Sequence, residues 1–535
     1  MKLRYDKEKE KFTITEGSRT EYHQLKLWLS RHVKGYRFMQ PFKMGVWNGK
    51  KDFFKNGSMD LGLWKEIFNA CKEIQTPFIV ENKEDFPLNR NIKYEDVEKF
   101  TKEYFKNHKV KIGDKWENFM PYEHQIQTAY NILKNRYCLA EVATSGGKSL
   151  IIAIIMFYTL THIDPNAKFL MIVPSISLVT QFYDDILEYR FGANTLEDIS
   201  DDKLDALLND KNYINLRVEE IMSDKPRKYS GNKDANLYIG TYQSLEKWPK
   251  EFFTQFHTVI TDEAHKSKAA TLQKILKRTI GHAYSRFGVS GTFPPEDSCE
   301  ILEIQSVLGP KIAEVSADEL KKKGIITPME IKAVVMNHED PGFYEKVKYL
   351  RKNGLGKEAF NLERDYIHLS DNRIGFIKKI IKKVNNNTLL LFHTIEYGEK
   401  LFNELQKEFP DKLFFYIDGS VKSKERERIK KEMEIVDNKD RILVASYGTM
   451  STGVSIRAIF NIIFTDSFKS MQIVIQSIGR GLRLHSEKDK VTIFDLIDVY
   501  DSKDFGNILY SHFKERIKFY NNRKYPYTVS KINLK

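Results

Sequence analysis

The chain has 535 residues, which is too long for a single hydrophobic core and predicts about three compact units. Hydrophobic residues make up 41% and charged residues 30%, a balance that excludes a disordered or membrane-embedded class of protein. Lys and Arg outnumber Asp and Glu by 86 to 73. The resulting net charge of +13 favours a polyanionic partner such as nucleic acid, although charge alone does not identify one.

The three cysteines, Cys71, Cys138 and Cys299, lie far apart and form no C-x-x-C pair. We therefore expect neither a disulfide framework nor a thiolate zinc site, and we expect a reducing, cytoplasmic environment. The first residues, MKLRYDKEKEKF, are too charged for a signal peptide. The longest apolar run, residues 150–160, is too short to cross a bilayer and predicts a buried helix.

Residues 1–95 are predicted to form a small α+β domain that is rich in aromatic residues and lysine. Asn-Gly pairs at 48–49 and 56–57 predict hairpins, and residues 22–32 and 63–74 have the apolar spacing of helices. Several side chains of this region have the chemistry to stack on bases and hold phosphates, although such aromatics more often belong to a core. They are Tyr36, Phe38, Phe42, Trp47, Lys50 and Lys51.

A rival signal lies in the same region. Asp60 and the later run Glu81-Asn82-Lys83 loosely resemble the D…E-x-K metal site of restriction-type nucleases. Three residues at such loose spacing also recur by chance, so a nuclease stays an alternative with little support.

From about residue 110, short apolar strands alternate with amphipathic helices. This pattern predicts parallel α/β sheets with functional loops at the carboxyl ends of the strands. Two series of strands are predicted, the first at 169–173, 237–241, 258–262 and 286–292, and the second at 388–393, 413–419, 441–446, 461–467 and 491–498. Residues 192–234 are expected to be a surface insertion, and 511–535 a basic tail with seven Lys and Arg against one Glu.

The stretch AEVATSGGKSL, residues 140–150, has the composition of a phosphate-binding loop. It supplies glycines, a lysine for the β- and γ-phosphates, a hydroxyl for magnesium and an apolar helix whose dipole favours anions. These residues are Gly146, Gly147, Lys148 and Ser149. Val142 stands where the pattern G-x-x-x-x-G-K has its first glycine, so the loop alone is also compatible with the start of an ordinary buried helix.

The stretch TVITDEAHKS decides between these interpretations. Its adjacent carboxylates, Asp262 and Glu263, end an apolar strand, where they are costly unless they hold a cation or a water. We therefore predict that Asp262 is the magnesium partner and that Glu263 is the base that orients the attacking water. The alternative, a solvated turn with acidic cap residues, does not explain the phosphate loop upstream in the same chain.

With GKS, DEAH and the later segments, residues 110–500 resemble the motor ATPases of helicase superfamily two. The resemblance implies two tandem RecA-like lobes that hold ATP and Mg²⁺ between them and nucleic acid across them. It assigns residues 96–318 to the first lobe and 319–510, which carries the arginine fingers, to the second. Gln125 in PYEHQIQTAY matches the adenine-reading glutamine, although His124 replaces the usual aromatic residue before it.

The same resemblance assigns the remaining site residues. Nucleotide contacts fall to Thr144, Ser145, Gly146, Gly147, Lys148, Ser149 and Gly453, while Ser455 stands where members often carry an aspartate. Nucleic acid contacts fall to Pro174, Ser175, Gln181, Thr241, Ser244, Phe392, His393 and Thr449. Coupling of hydrolysis to lobe movement falls to His265, Ser290 and Thr292. In QSIGRGLRLH, Gln476, Arg480 and Arg483 match catalytic positions, with the two arginines on one helical face as fingers for the γ-phosphate.

A narrower resemblance covers the first 80 or so residues. The pattern GYRF…F-x-x-G-x-W-x-G-K is similar to the N-terminal domain of the UvsW-type recombination helicases of tailed phages. Their phosphate loop, P-T-S-A-G-K-S, also lacks the leading glycine, and here Ala143 takes the place of its proline. Ser145 stands where many members have glycine, so it must adopt the loop's backbone geometry without glycine's freedom.

This narrower resemblance implies a monomeric, ATP-dependent DNA helicase or translocase in the cytoplasm of a phage host. It would unwind or branch-migrate forks, Holliday junctions and R-loops during recombination, replication and repair, which makes RNA–DNA hybrids a further candidate substrate. Two alternatives stay open: a restriction-type translocase subunit that needs a nuclease partner, and a strand-binding or annealing protein whose ATP site only switches affinity.

Overall fold

The computed structural model describes residues 1–85, 91–112, 115–197, 199–210, 213–222, 235–451, 456–467, 488–501 and 506–534. The chain divides into two compact units, Met1–Ala143 with Gly147–Val315, and Thr144–Gly146 with Ser316–Lys535. Each unit contains one seven-stranded, all-parallel sheet. The predicted fold, two tandem RecA-like domains preceded by a small α+β region, is therefore confirmed.

The N-terminal region has a four-stranded sheet of order β5-β2-β1-β6 and a two-stranded hairpin, β3-β4. Its strands are β1 (Lys2–Asp6), β2 (Lys11–Glu16), β3 (Ser30–His32), β4 (Lys50–Asp52), β5 (Ser58–Asp60) and β6 (Ile79–Val80), and its helices are α1 (Arg19–Trp28), α2 (Gln40–Lys43) and α3 (Trp64–Glu73). Helices α1 and α3 confirm the two predicted helical segments. At the predicted Asn56-Gly57 turn, Lys55 and Ser58 exchange two backbone hydrogen bonds of 2.9 Å.

The N-terminal region packs directly on the first parallel sheet. Gly62 approaches the backbone oxygen of Gln305 so closely that a side chain at position 62 would overlap it. Arg286 in the sheet donates from Nη1 to Oε1 of buried Glu10 at 3.0 Å and from Nη2 to Oε2. Glu10 also accepts from the backbone N–H of Gly281 at 2.9 Å. These contacts make the N-terminal region part of the first compact unit.

The first parallel sheet has the order β11-β12-β10-β13-β14-β9-β15. Its strands are β9 (Tyr137–Val142), β10 (Phe169–Val173), β11 (Val218–Ile221), β12 (Leu237–Thr241), β13 (Thr258–Asp262), β14 (Ser285–Ser290) and β15 (Lys311–Val315). It is preceded by α4 (Tyr94–Phe105), β7 (Lys109–Ile112) and β8 (Lys115–Asn118). Its helices are α5 (Glu123–Asn135), α6 (Lys148–Tyr158), α7 (Ile176–Phe191), α8 (Ala193–Leu196), α9 (Asp201–Leu208), α10 (Tyr242–Leu245), α11 (Ala270–Lys277) and α12 (Cys299–Leu308).

The second parallel sheet has the order β18-β19-β17-β20-β21-β16-β22. Its strands are β16 (Met329–Asn337), β17 (Thr388–Phe392), β18 (Leu413–Ile417), β19 (Arg441–Ser446), β20 (Asn461–Phe464), β21 (Val491–Val499) and β22 (Tyr527–Asn533). Its helices are α13 (Ala317–Lys322), α14 (Pro341–Lys352), α15 (Gly356–Leu369), α16 (Asp371–Lys383), α17 (Ile395–Glu408), α18 (Ser423–Met433), α19 (Tyr447–Ser451) and α20 (Ile508–Asn522).

The two sheets are built on the same plan. Counted along the chain within each sheet, the strands of both follow the spatial order 3-4-2-5-6-1-7. The loop after a given strand of one sheet therefore has a counterpart in the other. This equivalence identifies related loops that share no obvious sequence similarity.

Two features differ from the sequence-based expectations, and the rival nuclease-type site is contradicted. Residues 511–534 are not a separate tail, because α20 packs on β21 and strand β22 pairs with β16. Part of the region 192–234 adds β11 to the edge of the first sheet, while residues 223–234 lie outside the described residues. Asp60 and Glu81 lie at opposite edges of the N-terminal sheet, about 14 Å apart at normal strand spacing, so they form no nuclease-type metal site.

Two further observations concern the chain as a whole. Cys71, Cys138 and Cys299 are all buried free thiols, as expected from their spacing. Within the described ranges, no helix has the length and apolar character that a bilayer crossing requires.

Candidate ATP-binding and coupling site

The phosphate loop lies between β9 and α6. Val142 is the buried last residue of β9, which explains why this position does not need glycine. Ser145 adopts φ +70°, so it holds the left-handed conformation in which many relatives of the motif use glycine. Gly147 also has positive φ, at +80°, and precedes α6, whose residues from Leu150 onward are buried. The loop therefore ends at a helix N-terminus, as phosphate binding requires.

Gln125 packs against this loop. A Cβ atom on Gly147 would overlap the side-chain nitrogen of Gln125, so only glycine allows the amide to come this close. The Oε1 atom of Gln125 accepts a hydrogen bond of 2.8 Å from the backbone N–H of Tyr122. Tyr122 is 46% exposed and stacks on His124, with a ring-centroid distance of 5.8 Å. Tyr122 is not among the predicted site residues, although it is the tyrosine nearest to Gln125 on its N-terminal side.

Asp262 is the last residue of β13 and Glu263 follows it. Strand β13 is separated from β9 by only one strand, β14. The sheet therefore brings both carboxylates to the same edge as the phosphate loop. Burial, followed by the charge of Glu263, raises the pKa of Asp262 to about 6, while the nearby Lys148 ammonium opposes that rise. The Oδ1 atom of Asp262 is shielded from solvent and has no hydrogen-bond partner among the described residues.

These residues fit a divalent cation. An orphaned carboxylate oxygen is a ligand that Mg²⁺ accepts, and it would be costly to bury without such a partner. The other predicted ligand, the Ser149 hydroxyl, lies 3.1 Å from the hydroxyl of Tyr189 on α7. Tyr189 is a second residue that sequence reasoning missed, since it lies 40 residues further along the chain.

Glu263 belongs to a compact hydrogen-bonded group with His265 and Ser290. The Nδ1 atom of His265 lies 2.8 Å from the Ser290 hydroxyl and 3.2 Å from Oε2 of Glu263. Burial alone would raise the pKa of Glu263, but the His265 hydrogen bond and the Lys148 charge outweigh it and lower that pKa to about 2. The carboxylate is therefore ionised at neutral pH.

Ser290 extends this group to the end of β14. Its hydroxyl donates to the carbonyl oxygen of Thr292 at 2.8 Å and lies 3.4 Å from the backbone nitrogen of Thr292. The structure thus brings together all three residues that were predicted to couple hydrolysis to movement. A chain of contacts therefore joins the Glu263 carboxylate, through His265 and Ser290, to the loop after β14.

Two of the predicted nucleic acid contacts occupy equivalent positions in the two sheets. After β12, the hydroxyls of Thr241 and Ser244 lie 3.0 Å apart, and Thr241 caps the one-turn helix α10. After β19, the hydroxyls of Ser446 and Thr449 lie 2.8 Å apart at the start of α19. Since β12 and β19 are the fourth strands of their sheets, this repeated hydroxyl pair is a common feature of both units.

The remaining predicted contacts follow the second strand of each sheet. Pro174 and Ser175 follow β10, where Ser175 precedes α7 and the half-buried Gln181 lies on that helix.

The prediction that the Phe392 side chain contacts nucleic acid is wrong, because Phe392 is fully buried in the core of the second sheet. Its neighbour His393 is exposed, and its backbone N–H donates to Asp466 at 2.7 Å. The exposed position is therefore the one after the strand.

Several predicted site residues lie outside the described residues and stay predictions. They are Gly453, Gln476, Arg480 and Arg483.

Family models match both parts of this chain. The model described as "Type III restriction enzyme, res subunit" matches residues 118–295, and the "Helicase conserved C-terminal domain" matches residues 372–485. These matches cover the phosphate loop, the Asp-Glu-Ala-His segment and the second lobe in the order that the motor fold requires. The chain is therefore an ATP-dependent helicase, and it resembles the nucleic acid helicases of superfamily two.

Within this class the chain is similar to two particular proteins. It is 27% identical over 527 residues to the ATP-dependent DNA helicase uvsW of Enterobacteria phage T4, with 96% of each chain covered. It also matches the crystal structure of T4 UvsW, at 24% identity and a TM-score of 0.47, over 100% of this chain and 99% of that one. The DNA-bound Type ISP restriction-modification enzyme LlaBIII matches at 15% identity and a TM-score of 0.54, over 79% of this chain and 32% of that one. The likeness to LlaBIII supports the fold alone.

Proposed function

We propose that the chain uses ATP and Mg²⁺ to unwind or branch-migrate branched DNA, including forks, Holliday junctions and R-loops. The observation that carries the proposal is the group formed by Glu263, His265 and Ser290 beside the phosphate loop. A protein that only bound ATP would need the loop and a cation ligand. The additional hydrogen-bonded path from the ionised Glu263 to the loop after β14 is what a motor requires.

We assign a separate role in ATP hydrolysis to each of the described site residues. Lys148 and the N-terminus of α6 hold the phosphates, while Ser149 and Asp262 would hold Mg²⁺. Bound there, the ion would neutralise charge that develops on the phosphates. Glu263 orients the attacking water and accepts its proton, which its ionised state at neutral pH allows. We assign the exposed ring of Tyr122, next to Gln125, to the adenine face.

The substrate assignment rests on two observations. The net charge of +13 favours a polyanion. The relative that covers 96% of this chain is named a DNA helicase, and we extend that activity to this chain as a proposal. We further propose that Arg480 and Arg483 are the arginine fingers, that the protein acts as a monomer, and that it serves phage recombination, replication and repair.

The proposal is tested by ATP hydrolysis with and without DNA. We expect DNA-stimulated turnover in the wild type, and a loss of at least about a hundredfold in both Lys148→Ala and Glu263→Gln. The first variant removes a cation that holds the phosphates, and the second removes the base that acts on the attacking water. Lys7→Ala, which changes an exposed lysine of the N-terminal region, is the matched control and should behave like the wild type. Turnover that neither site variant affects would contradict the motor.

A strand-separation panel then tests the substrate. Forks, four-way junctions and R-loops should be processed faster than a simple tailed duplex, and activity on the tailed duplex alone would contradict the branched-DNA proposal. The match to the restriction-enzyme family model favours a second candidate, a translocase that works with a nuclease partner. That candidate predicts DNA-stimulated hydrolysis with no strand separation on any of the four substrates.

A further inference from the structure

The N-terminal region exposes an apolar projection, residues 33–49, which we call the tip. It connects β3 to β4 and carries three large apolar side chains in solvent. Phe38 is 83% exposed, Val46 73% and Met44 71%. Single exposed apolar residues are common on proteins, but three within nine residues of one projection form a patch that indicates a binding surface.

The tip is ordered by its own contacts. The ring of Tyr36 stacks on His32 with a centroid distance of 4.2 Å and meets Phe42 edge-on at 4.8 Å. Trp47 donates from its indole nitrogen to the carbonyl oxygen of Lys50 at 2.8 Å. These contacts pack the half-buried rings of Tyr36, Phe42 and Trp47 within the tip, so those rings are largely used for structure. Phe38 makes none of these contacts and is exposed to solvent.

The charge on the segment that contains the tip is of one sign. Residues 22–51 contain seven Lys and Arg and no Asp or Glu. Lys34, Arg37 and Lys43 on the tip itself are exposed. A concentration of positive charge beside exposed apolar side chains matches a ligand with phosphates next to flat apolar faces. Nucleic acid combines regularly spaced phosphates with flat apolar base faces. A protein partner would not require positive charge alone around the apolar side chains.

The base of the tip is fixed to the first compact unit. Strands β3 and β4 pair through Ser30 and Asp52, and the backbone N–H of Phe53 donates to Leu29 at 2.9 Å. Lys51 at the base forms an ion pair of 2.7 Å with Glu303 on α12, a helix of the first parallel sheet. The tip is therefore anchored to the unit that carries the ATP site. When the ATPase pulls DNA against the tip, these contacts hold the tip in place.

We propose that the tip is a wedge for the open end of a DNA duplex. Phe38, Met44 and Val46 press on the exposed face of the terminal base pair, and Lys34, Arg37 and Lys43 hold the flanking phosphates. Apolar side chains inserted at a base step unstack it, and the basic residues offset that cost with phosphate contacts. The proposal rests on the proposed helicase function, since it locates where strands separate.

The experiment uses the full chain and a forked DNA with 2-aminopurine in the first base pair, whose fluorescence rises when that base unstacks. Without ATP, the wild type should raise the fluorescence. The variant with Phe38→Ser, Met44→Ser and Val46→Ser should lose this rise and separate strands at least about tenfold more slowly. Its ATP hydrolysis on single-stranded DNA should stay within about twofold of the wild type, because the ATP site is unchanged.

Two controls keep the result interpretable. Leu27→Ser removes an exposed apolar residue of the same region outside the tip and should change nothing. Phe38→Trp keeps a flat apolar ring and should retain the fluorescence rise, whereas Phe38→Ala should reduce it. An unchanged fluorescence rise in the triple variant overturns the wedge. So does a change confined to oligomeric state, measured by sedimentation, because the patch would then be an interface between copies of the chain.

The two proposals fail in different ways. If the wild type shows no DNA-stimulated hydrolysis, the proposed function fails, but the ATP-free fluorescence measurement still tests the tip. If hydrolysis and strand separation are normal in the triple variant, the helicase function stands and the wedge is wrong.

Discussion

Glu10 and Arg286 form a buried ion pair that joins the turn between β1 and β2 to strand β14 of the first parallel sheet. Burial alone would lower the pKa of Arg286, but the Glu10 carboxylate outweighs it and raises that pKa, so the guanidinium keeps its charge. Because β14 also ends at Ser290, this pair connects the N-terminal region to the strand that carries the coupling serine.

Arg286→Met should destabilise the first unit by about 3–5 kcal/mol, because it leaves the Glu10 carboxylate buried without a partner. The double variant with Glu10→Leu should recover most of that loss, since an apolar pair needs no charge compensation. Denaturant unfolding followed by tryptophan fluorescence measures both. Glu16→Gln, which breaks the exposed pair between Lys2 and Glu16, is the control and should have no measurable effect. Equal stability of Arg286→Met and the wild type would show that the pair is structurally unimportant.

Ser290→Ala should separate hydrolysis from movement. The variant removes the hydroxyl that lies 2.8 Å from His265 and that bonds to Thr292, while Glu263 and Lys148 stay in place. We expect ATP hydrolysis within about threefold of the wild type and strand separation per ATP at least about tenfold lower. Hydrolysis and unwinding assays on the same forked DNA give this ratio. Ser200→Ala, at the start of α9, is the matched control, and an equal fall in both activities would contradict a coupling role.

Much of the fold follows from local apolar runs. Strands β10, β12 and β13 have the predicted bounds, because each is a short, mostly buried run rich in apolar residues. Strand β9 was missed, because Glu141 interrupts its apolar pattern even though that side chain is buried beside Lys311. Strand β22 was read as part of a basic tail, since an edge strand keeps exposed polar residues.

Long-range pairing explains the other misses. Arg516 contributed to the basic character of the predicted tail, yet it is buried and donates to Asp495 from Nε and Nη2, both at 2.9 Å. Glu10 and Arg286 are separated by 276 residues and have no local signature. Local patterns predict which residues carry the ATP chemistry, because that chemistry requires fixed spacing. They do not predict which charges are paired in the core.

Ser145 and Gly147 should respond in opposite ways to substitution. Both have positive φ, but only Gly147 has a neighbour, Gln125, in the space that a Cβ would occupy. Ser145→Gly relieves about 1 kcal/mol of backbone strain and should leave nucleotide affinity equal to or tighter than the wild type. Gly147→Ala should weaken it at least about tenfold, since it adds strain and displaces the glutamine. Equilibrium binding of a fluorescent ATP analogue measures both, and weaker binding by Ser145→Gly would contradict this account.

The thiols should be unreactive in the folded protein. Burial raises the pKa of Cys71 and Cys299 to about 11 and raises that of Cys138 as well. Because the pKa lies above its usual value, less thiolate is present at pH 8, by about a hundredfold for a shift of two pH units. Labelling with Ellman's reagent should therefore be slow in buffer and rapid for all three thiols in guanidinium chloride. Fast labelling of the folded protein at pH 8 would show that a thiol is accessible.

Substitutions of Phe392 and His393 should change different properties, although the two residues are adjacent and were both predicted to contact nucleic acid. Phe392→Ala should destabilise the second unit by about 3–5 kcal/mol, because its ring is buried in the sheet core and lies against Gly398. His393→Ala should leave stability unchanged and weaken DNA binding about threefold, since its exposed ring lies after the strand, where a contact to a phosphate is accessible. Thermal unfolding and fluorescence anisotropy with single-stranded DNA distinguish the two. Phe392→Leu, which keeps the position apolar, should preserve binding with a smaller loss of stability. If Phe392→Ala instead left stability intact and reduced DNA affinity, the strand end would be more open than its burial indicates, and the sequence-based assignment of Phe392 to nucleic acid would stand.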